Sequence, residues 1–185
     1  PLAIMKKCRK NSNKILFKTS YLTKMNKLWA PWRMDYIRTP KEDGCIFCTK
    51  HESKKDKENL LLFRGQESFV LMNLYPYTNG HLMISPYKHT SDTNDISAKG
   101  NQEIMFLTNK SMKIIKKIMG ADGFNFGANL GKAAGAGIEE HLHFHIVPRW
   151  TGDTNFMPVT ANTKVMVEGL QETWESMRPQ FDLIK

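Results

Sequence analysis

His141-Leu142-His143-Phe144-His145-Ile146-Val147 is the stretch on which the reading of this chain turns. Side chains alternate faces along a strand, so His141, His143 and His145 share one face and Leu142, Phe144 and Ile146 the other. The apolar face predicts a core strand. The opposite face is a row of three imidazoles, about 7 Å apart per two-residue step. The chain has six histidines in 185 residues. Strict alternation of three among so few is hard to reach by chance. The strand is expected over 141–147, ended by Pro148.

Outward from that strand, the pattern is short strands and two helices. Leu60–Phe63, Ser68–Asn73 and His81–Ser85 read as strands, with a turn cluster at Tyr75-Pro76-Tyr77-Thr78-Asn79-Gly80. Ile104, Leu107, Ser111/Met112, Ile115 and Ile118/Met119 recur at helical spacing, with Lys110, Lys113, Lys116 and Lys117 mostly opposite. That spacing predicts an amphipathic helix of about four to five turns, ended by Gly120. The lysines read as a solvated face and the methionines as core. Phe124–Leu130 reads as a further strand, and Gly131–Gly137 as a Gly/Ala-rich loop. Met166, Leu170, Trp174 and Met177 predict a last helix that stops at Pro179. Hairpin-length connections argue for an α+β domain: an antiparallel sheet of about five strands with two main helices packed on it.

Composition limits the alternatives. Hydrophobic residues make up 41% and charged residues 24%, as in an ordinary globular domain. That excludes a disordered or collagen-like chain. No stretch reaches the roughly 20 apolar residues of a membrane-spanning helix, so no membrane partner is expected. Three cysteines cannot build a disulfide framework and suggest a reducing compartment, hence the cytoplasm. The net charge of +9 invites a nucleic-acid reading. Yet seven basic residues and no acidic one lie in residues 1–24, and the first acid is Asp35. Residues 1–24 are therefore read as a basic mobile arm, and 25–185 as a nearly balanced domain. The arm also fits a mitochondrial or other organelle transit peptide, or sequence upstream of a start at Met25. Nucleic acid is not the expected partner of the domain.

Two chemistries suit the imidazole row. Two histidines two apart on a strand, such as His141 and His143, can hold a catalytic zinc with an open position. Alternatively the middle imidazole attacks a phosphorus and carries a transient phosphoramidate. The stretch before the strand favours phosphate: Asn129-Leu130-Gly131-Lys132-Ala133-Ala134-Gly135-Ala136-Gly137. Small residues let backbone N–H groups approach an anion. Asn129 can donate, and Lys132 can add charge.

With these residues the sequence resembles the histidine triad (HIT) superfamily, whose pattern is three histidines alternating with apolar residues. Asn73 and Asn79-Gly80-His81-Leu82-Met83-Ile84-Ser85-Pro86 look like that superfamily's upstream segment. Leu28–Ile37, Asn125–Gly137 and Leu142–Phe156 look most like the branch of diadenosine tetraphosphate phosphorylases and ATP-adenylyltransferase-like proteins. The resemblance covers about residues 25 to 178.

The resemblance implies an enzyme that cleaves phosphoanhydrides of adenosine nucleotides. His143 would attack the α-phosphorus. His145 and His81 would flank it, orienting it or binding phosphate oxygens, with His141 in the same catalytic group. Asn73 would hold the ribose hydroxyls. Asn129, Lys132 and the loop with Gly135 and Gly137 would hold the phosphates. Many relatives carry a hydroxyl or amide side chain shortly before the triad, where this chain has Gly137 and Ile138. Leaving-group protonation therefore has no assigned residue. The resemblance also implies a homodimer that joins two sheets across a shared edge. No organic cofactor is implied, although Mg²⁺ can accompany the substrate. The alternatives are an adenosine 5'-phosphoramidase of the same superfamily, a zinc-hydroxide hydrolase, and a non-catalytic nucleotide-binding module.

Cys45-Ile46-Phe47-Cys48 has the spacing of half a zinc site and reads as a tight knuckle after Gly44. His51, His89 and His141 are candidates for the other ligands. The resemblance points to His89 and His141, giving a closed structural zinc site that leaves His143 free. His51, in a polar loop spanning 50–59, reads as solvated. Trp29, Trp32 and Tyr36 are candidates for core plugs, a dimer contact or a base-stacking platform.

Overall fold

The computed structural model describes residues 44–153 and 168–184. The basic arm, the aromatic segment around Trp29, Trp32 and Tyr36, and Met166 lie outside the described residues.

Among the described residues five strands form one antiparallel sheet: β1 (Leu61–Arg64), β2 (Ser68–Met72), β3 (Leu82–Pro86), β4 (Gly123–Gly127) and β5 (Phe144–Arg149). Their spatial order is β1-β2-β3-β5-β4, with every neighbouring pair antiparallel. Among the described residues three α-helices accompany the sheet: α1 (Ile46–Glu52), α2 (Ala98–Met119) and α3 (Leu170–Phe181). The expected α+β architecture is the observed one.

The alternation of side chains divides the core in two. Val70, Met72, Leu82, Ile84, Leu142 and Ile146 pack with Ile104, Leu107 and Ile115 of α2 and with Met177 and Phe181 of α3. On the opposite face, Phe69, Leu71 and Met83 pack with Leu61 and with Phe47 of α1. The imidazole row lies on this second face, since Phe47 contacts the rings of both His141 and His143.

Several boundaries differ from the sequence expectation, each for a local reason. Helix α2 starts at Ala98, well before the first periodic apolar residue, because Ser97 Oγ accepts the Gly100 N–H. It ends at Gly120, in the left-handed region (φ 62°). Regular pairing of β5 begins at Phe144 rather than His141. Before it, the Leu142 N–H turns to Thr90 O, and the Leu142 carbonyl accepts Ser85 Oγ. Pro148 does not end β5. It pairs with Phe124 of β4, beyond the last β3 partner at Leu82↔Ile146. Among the described residues β5 has one neighbour at that point, so the missing N–H of proline breaks no ladder bond there. Pro179 lies inside the last turn of α3, which continues to Phe181. The cysteine knuckle is a helical turn: Cys45 is the N-cap of α1 and Cys48 lies within it. The expected loop at 50–59 therefore begins inside a helix. His51 is half-buried against Phe69 and Tyr87, not solvated.

Candidate active site

The turn between β2 and β3 builds one wall. Gly80 is left-handed (φ 73°), and a Cβ there would meet Met119 Sδ at 2.6 Å. The positive φ favours glycine, and a Cβ would also displace the Met119 side chain. This turn delivers His81 at the mouth of β3, 1% exposed. The Tyr77 N–H donates to His81 Nδ1 at 3.1 Å. Asn73 Nδ2 lies 3.3 Å from the same nitrogen, while Asn73 Oδ1 accepts the Tyr75 N–H. The Tyr77 ring covers the pair, 4.7 Å from His81 and 6.0 Å from His145.

His81 Nε2 is 2.9 Å from His145 Nδ1. A backbone N–H can only donate, so His81 Nδ1 accepts and Nε2 carries the proton. His81 thus donates to His145 Nδ1, which leaves the His145 proton on Nε2. His143 is fixed from the other side. Its Nδ1 is 2.8 Å from the His141 carbonyl oxygen. A carbonyl can only accept, so Nδ1 carries the proton and Nε2 holds the lone pair. The rings of His143 and His145 lie edge to face, 5.0 Å between centroids.

Burial favours the neutral forms. Desolvation lowers the His143 pKa, against a partly opposing bond to the His141 carbonyl. Desolvation, helped by His143, lowers His145 to about 4. At neutral pH the two rings are uncharged, and the lone pair of His143 is available to an electrophile.

His141 stands apart from this pair. Its Nδ1 is 3.1 Å from Cys45 Sγ, 3.6 Å from Cys48 Sγ and 3.3 Å from His89 Nδ1. Cys48 Sγ is 3.5 Å from His89 Nδ1. A tetrahedral zinc, with bonds of about 2.3 Å to sulfur and about 2.0 Å to nitrogen, spaces such ligand atoms by about 3.3–3.8 Å. Cys45, Cys48, His89 and His141 match this closely and could hold a metal ion. The other nitrogen of His141 donates to Pro86 O at 2.9 Å, which frees Nδ1 as a ligand. Desolvation also keeps this imidazole neutral. Burial and the neighbouring Cys45 raise the Cys48 thiol to about 11, a cost that a bound cation would offset. His141 thus faces the cluster with its ring and His143 only with its carbonyl. The two imidazoles do not form a ligand pair for an open zinc. His51 belongs to neither group.

Asn129, Lys132, Gly135 and Gly137 lie beyond β4. The register sets Gly127 opposite His145, so the chain leaves the sheet at the imidazole end. Lys132–Ala134 forms a short 3-10 turn between left-handed Gly131 and Gly135, and Lys132 is exposed. A cavity of about 280 Å³ opens beside His81, lined by Met72, Leu74, Gly80 and Leu170 among others. Two contributors were not singled out from the sequence. Phe47 is visible there only as the filler of a Cys-x-x-Cys, and Tyr77 acts partly through a backbone N–H that every non-proline residue has.

The fold and this arrangement define a histidine triad protein. The chain belongs to the HIT domain family, which residues 54–152 match. It is 38% identical over 157 residues to the AP-4-A phosphorylase of Mycobacterium tuberculosis, covering 80% of each chain. It is 27% identical over 93 residues to the bis(5'-adenosyl)-triphosphatase of Dictyostelium discoideum, covering 50% of this chain and 62% of that one. The fold matches a Zn-bound histidine triad family protein from Mycobacterium smegmatis with a TM-score of 0.60 at 22% identity, covering 75% of this chain and 94% of that one.

Proposed function

We propose that this protein cleaves the phosphoanhydride of a diadenosine polyphosphate through an adenylyl group carried on His143 Nε2. The observation that supports this most directly is the fixed tautomer of His143: a backbone carbonyl holds its Nδ1–H and leaves Nε2 as a lone pair. The similarity to an AP-4-A phosphorylase over 80% of both chains supports the substrate class.

In the first step a bond forms from His143 Nε2 to the α-phosphorus, and the α-phosphorus–bridging oxygen bond breaks. The electron pair of that bond leaves on the departing polyphosphate. In the second step water or inorganic phosphate attacks the same phosphorus and releases His143, giving AMP or ADP. As the first bond forms, His143 Nε2 loses its lone pair and the ring becomes cationic. The His141 carbonyl on Nδ1–H stabilises that charge. The Nε2–H of His145, set by His81, is a donor for a phosphate oxygen. Asn73 supplies an amide for the ribose hydroxyls. Asn129, Lys132 and the loop around Gly135 and Gly137 supply donors for the phosphates.

Cys45, Cys48, His89 and His141 would hold a zinc ion. Four protein ligands make a closed, structural site that supplies no chemistry to the phosphorus. A homodimer formed along the outer edge of β4 fits the exposed Asn125, Phe126 and Gly127 of that strand.

Incubation of the full chain with diadenosine tetraphosphate, with and without inorganic phosphate, tests the reading. Phosphate-dependent release of ADP supports a phosphorylase, and phosphate-independent release of AMP a hydrolase. Turnover of adenosine phosphoramidates alone would contradict it.

A further inference from the structure

We propose that Phe47 is a positioning residue for His143, set in place by the Cys45–Cys48–His89–His141 cluster when a metal is bound. The proposal rests on His143 being the nucleophile.

Phe47 lies between the two cysteines in sequence and is wholly buried. Its ring centroid is 4.8 Å from that of His143, with 30° between the planes, and 5.2 Å from that of His141. His143 is thus bounded by Phe47 and, edge to face, by His145. The terminal torsion of a histidine is broad and roughly two-fold. A half-turn about it puts Cδ2 where Nδ1 stood and Cε1 where Nε2 stood, so the His141 carbonyl loses its N–H partner and the Nε2 lone pair leaves its place. The wall formed by Phe47 opposes that turn, and the His141 carbonyl rewards the orientation that keeps Nε2 free.

Helix α1 has seven residues and no side-chain cap on Cys45, so it cannot hold this position alone. Its C-terminal end is gripped by Arg64, whose Nη1 and Nη2 donate to His51 O and Ser53 O at 2.6 Å each. Its N-terminal end is held through Cys45 and Cys48. A metal on those sulfurs fixes Phe47 from both sides in sequence. The same metal on His141 Nδ1 fixes the residue whose carbonyl orients His143. Two short paths therefore connect the cluster to one imidazole.

The test uses the ¹⁵N-labelled full chain at a single neutral pH. Long-range ¹H–¹⁵N spectra report which His143 nitrogen carries the proton, independently of turnover. The metal-loaded protein is expected to show His143 with its proton on Nδ1 alone, and the metal-stripped protein a mixture. Phe47→Leu, with metal content unchanged, is expected to show the same mixture. Its kcat should fall roughly tenfold with KM nearly unchanged, as for a misaligned nucleophile. The conservative variant Phe47→Tyr, which keeps the ring, is expected to retain most of the rate. A Phe47→Leu protein with the wild-type tautomer and kcat would overturn the proposal, as would a loss confined to KM. A His143 spectrum unchanged by stripping in the folded protein would overturn the part assigned to the metal. A wild-type protein that turns over no adenosine nucleotide would sink the proposed reaction and leave the spectra to decide on Phe47.

Discussion

His81 Nε2 donates to His145 Nδ1 across 2.9 Å, and the direction of that bond is imposed by the Tyr77 N–H on the far side of His81. One backbone donor thus determines where two imidazoles carry their protons. His81→Ala removes the donor that fixes His145 while sparing His143. The nucleophile should still react, with a less oriented partner for the phosphate oxygens. The expected loss is about 10²-fold or less in kcat. Single-turnover kinetics of His81→Ala checks this. A rate equal to wild type would remove His81 from the account.

The Cys45–Cys48–His89–His141 cluster links α1 to the residues before β5. Cys45→Ser and His89→Ala each remove one of four ligands. Both are expected to lose bound zinc and to lower the melting temperature, since binding to a folded site adds to folding stability. Elemental analysis with thermal melts, before and after chelation, reads both. Melts insensitive to chelator in a protein that contains zinc would contradict the structural role.

Glu103 offers a prediction about stability and pH. Its carboxylate accepts the N–H groups of Gln66, Glu67 and Ser68, all at 2.7 Å, together with Ser68 Oγ. Desolvation pushes its pKa up, but these donors outweigh it and hold the group below the ordinary 4.5. A depressed folded pKa stabilises the fold at pH values above the unfolded pKa. That contribution is lost as pH falls through the folded pKa. Glu103→Gln should cost about 1–3 kcal/mol near neutrality. The wild-type and variant stabilities should converge in acid. Denaturant titrations at neutral pH and near pH 3 measure the two differences, and a constant gap would refute the assignment.

Gly80 is both left-handed and packed against Met119 and Met177. Gly80→Ala should destabilise by about 1–3 kcal/mol through backbone strain, with added cost from the methionine contact. Because the turn delivers His81, activity should fall along with the midpoint of unfolding. A variant as stable as wild type would show that the turn relaxes freely.

Much of this was legible in the sequence for physical reasons. Period-two alternation put His143 and His145 on one face, and the Cys-x-x-Cys spacing exposed half of the Cys45–Cys48–His89–His141 cluster. The period of Ile104 to Met119 exposed α2. The rest depends on tertiary context. His141 has the same sequence pattern as His143, yet its ring turns to the cysteines because α1 folds against it. Helix α1 has one buried apolar residue, Phe47, and no side-chain cap, so no local signal marks it. Pro148 and Pro179 read as stops. Pro148 is tolerated because, among the described residues, β5 has one neighbour there, and Pro179 lies in a helix already near its end.

The central claim is that His143 Nε2 becomes covalently bonded to an α-phosphorus. Rapid quenching of the full chain with diadenosine tetraphosphate, followed by peptide mass spectrometry under alkaline conditions, measures this directly. An adenylyl group is expected on His143 and absent from His143→Gln. Normal turnover by His143→Gln, or an adenylyl group on another residue, would contradict it.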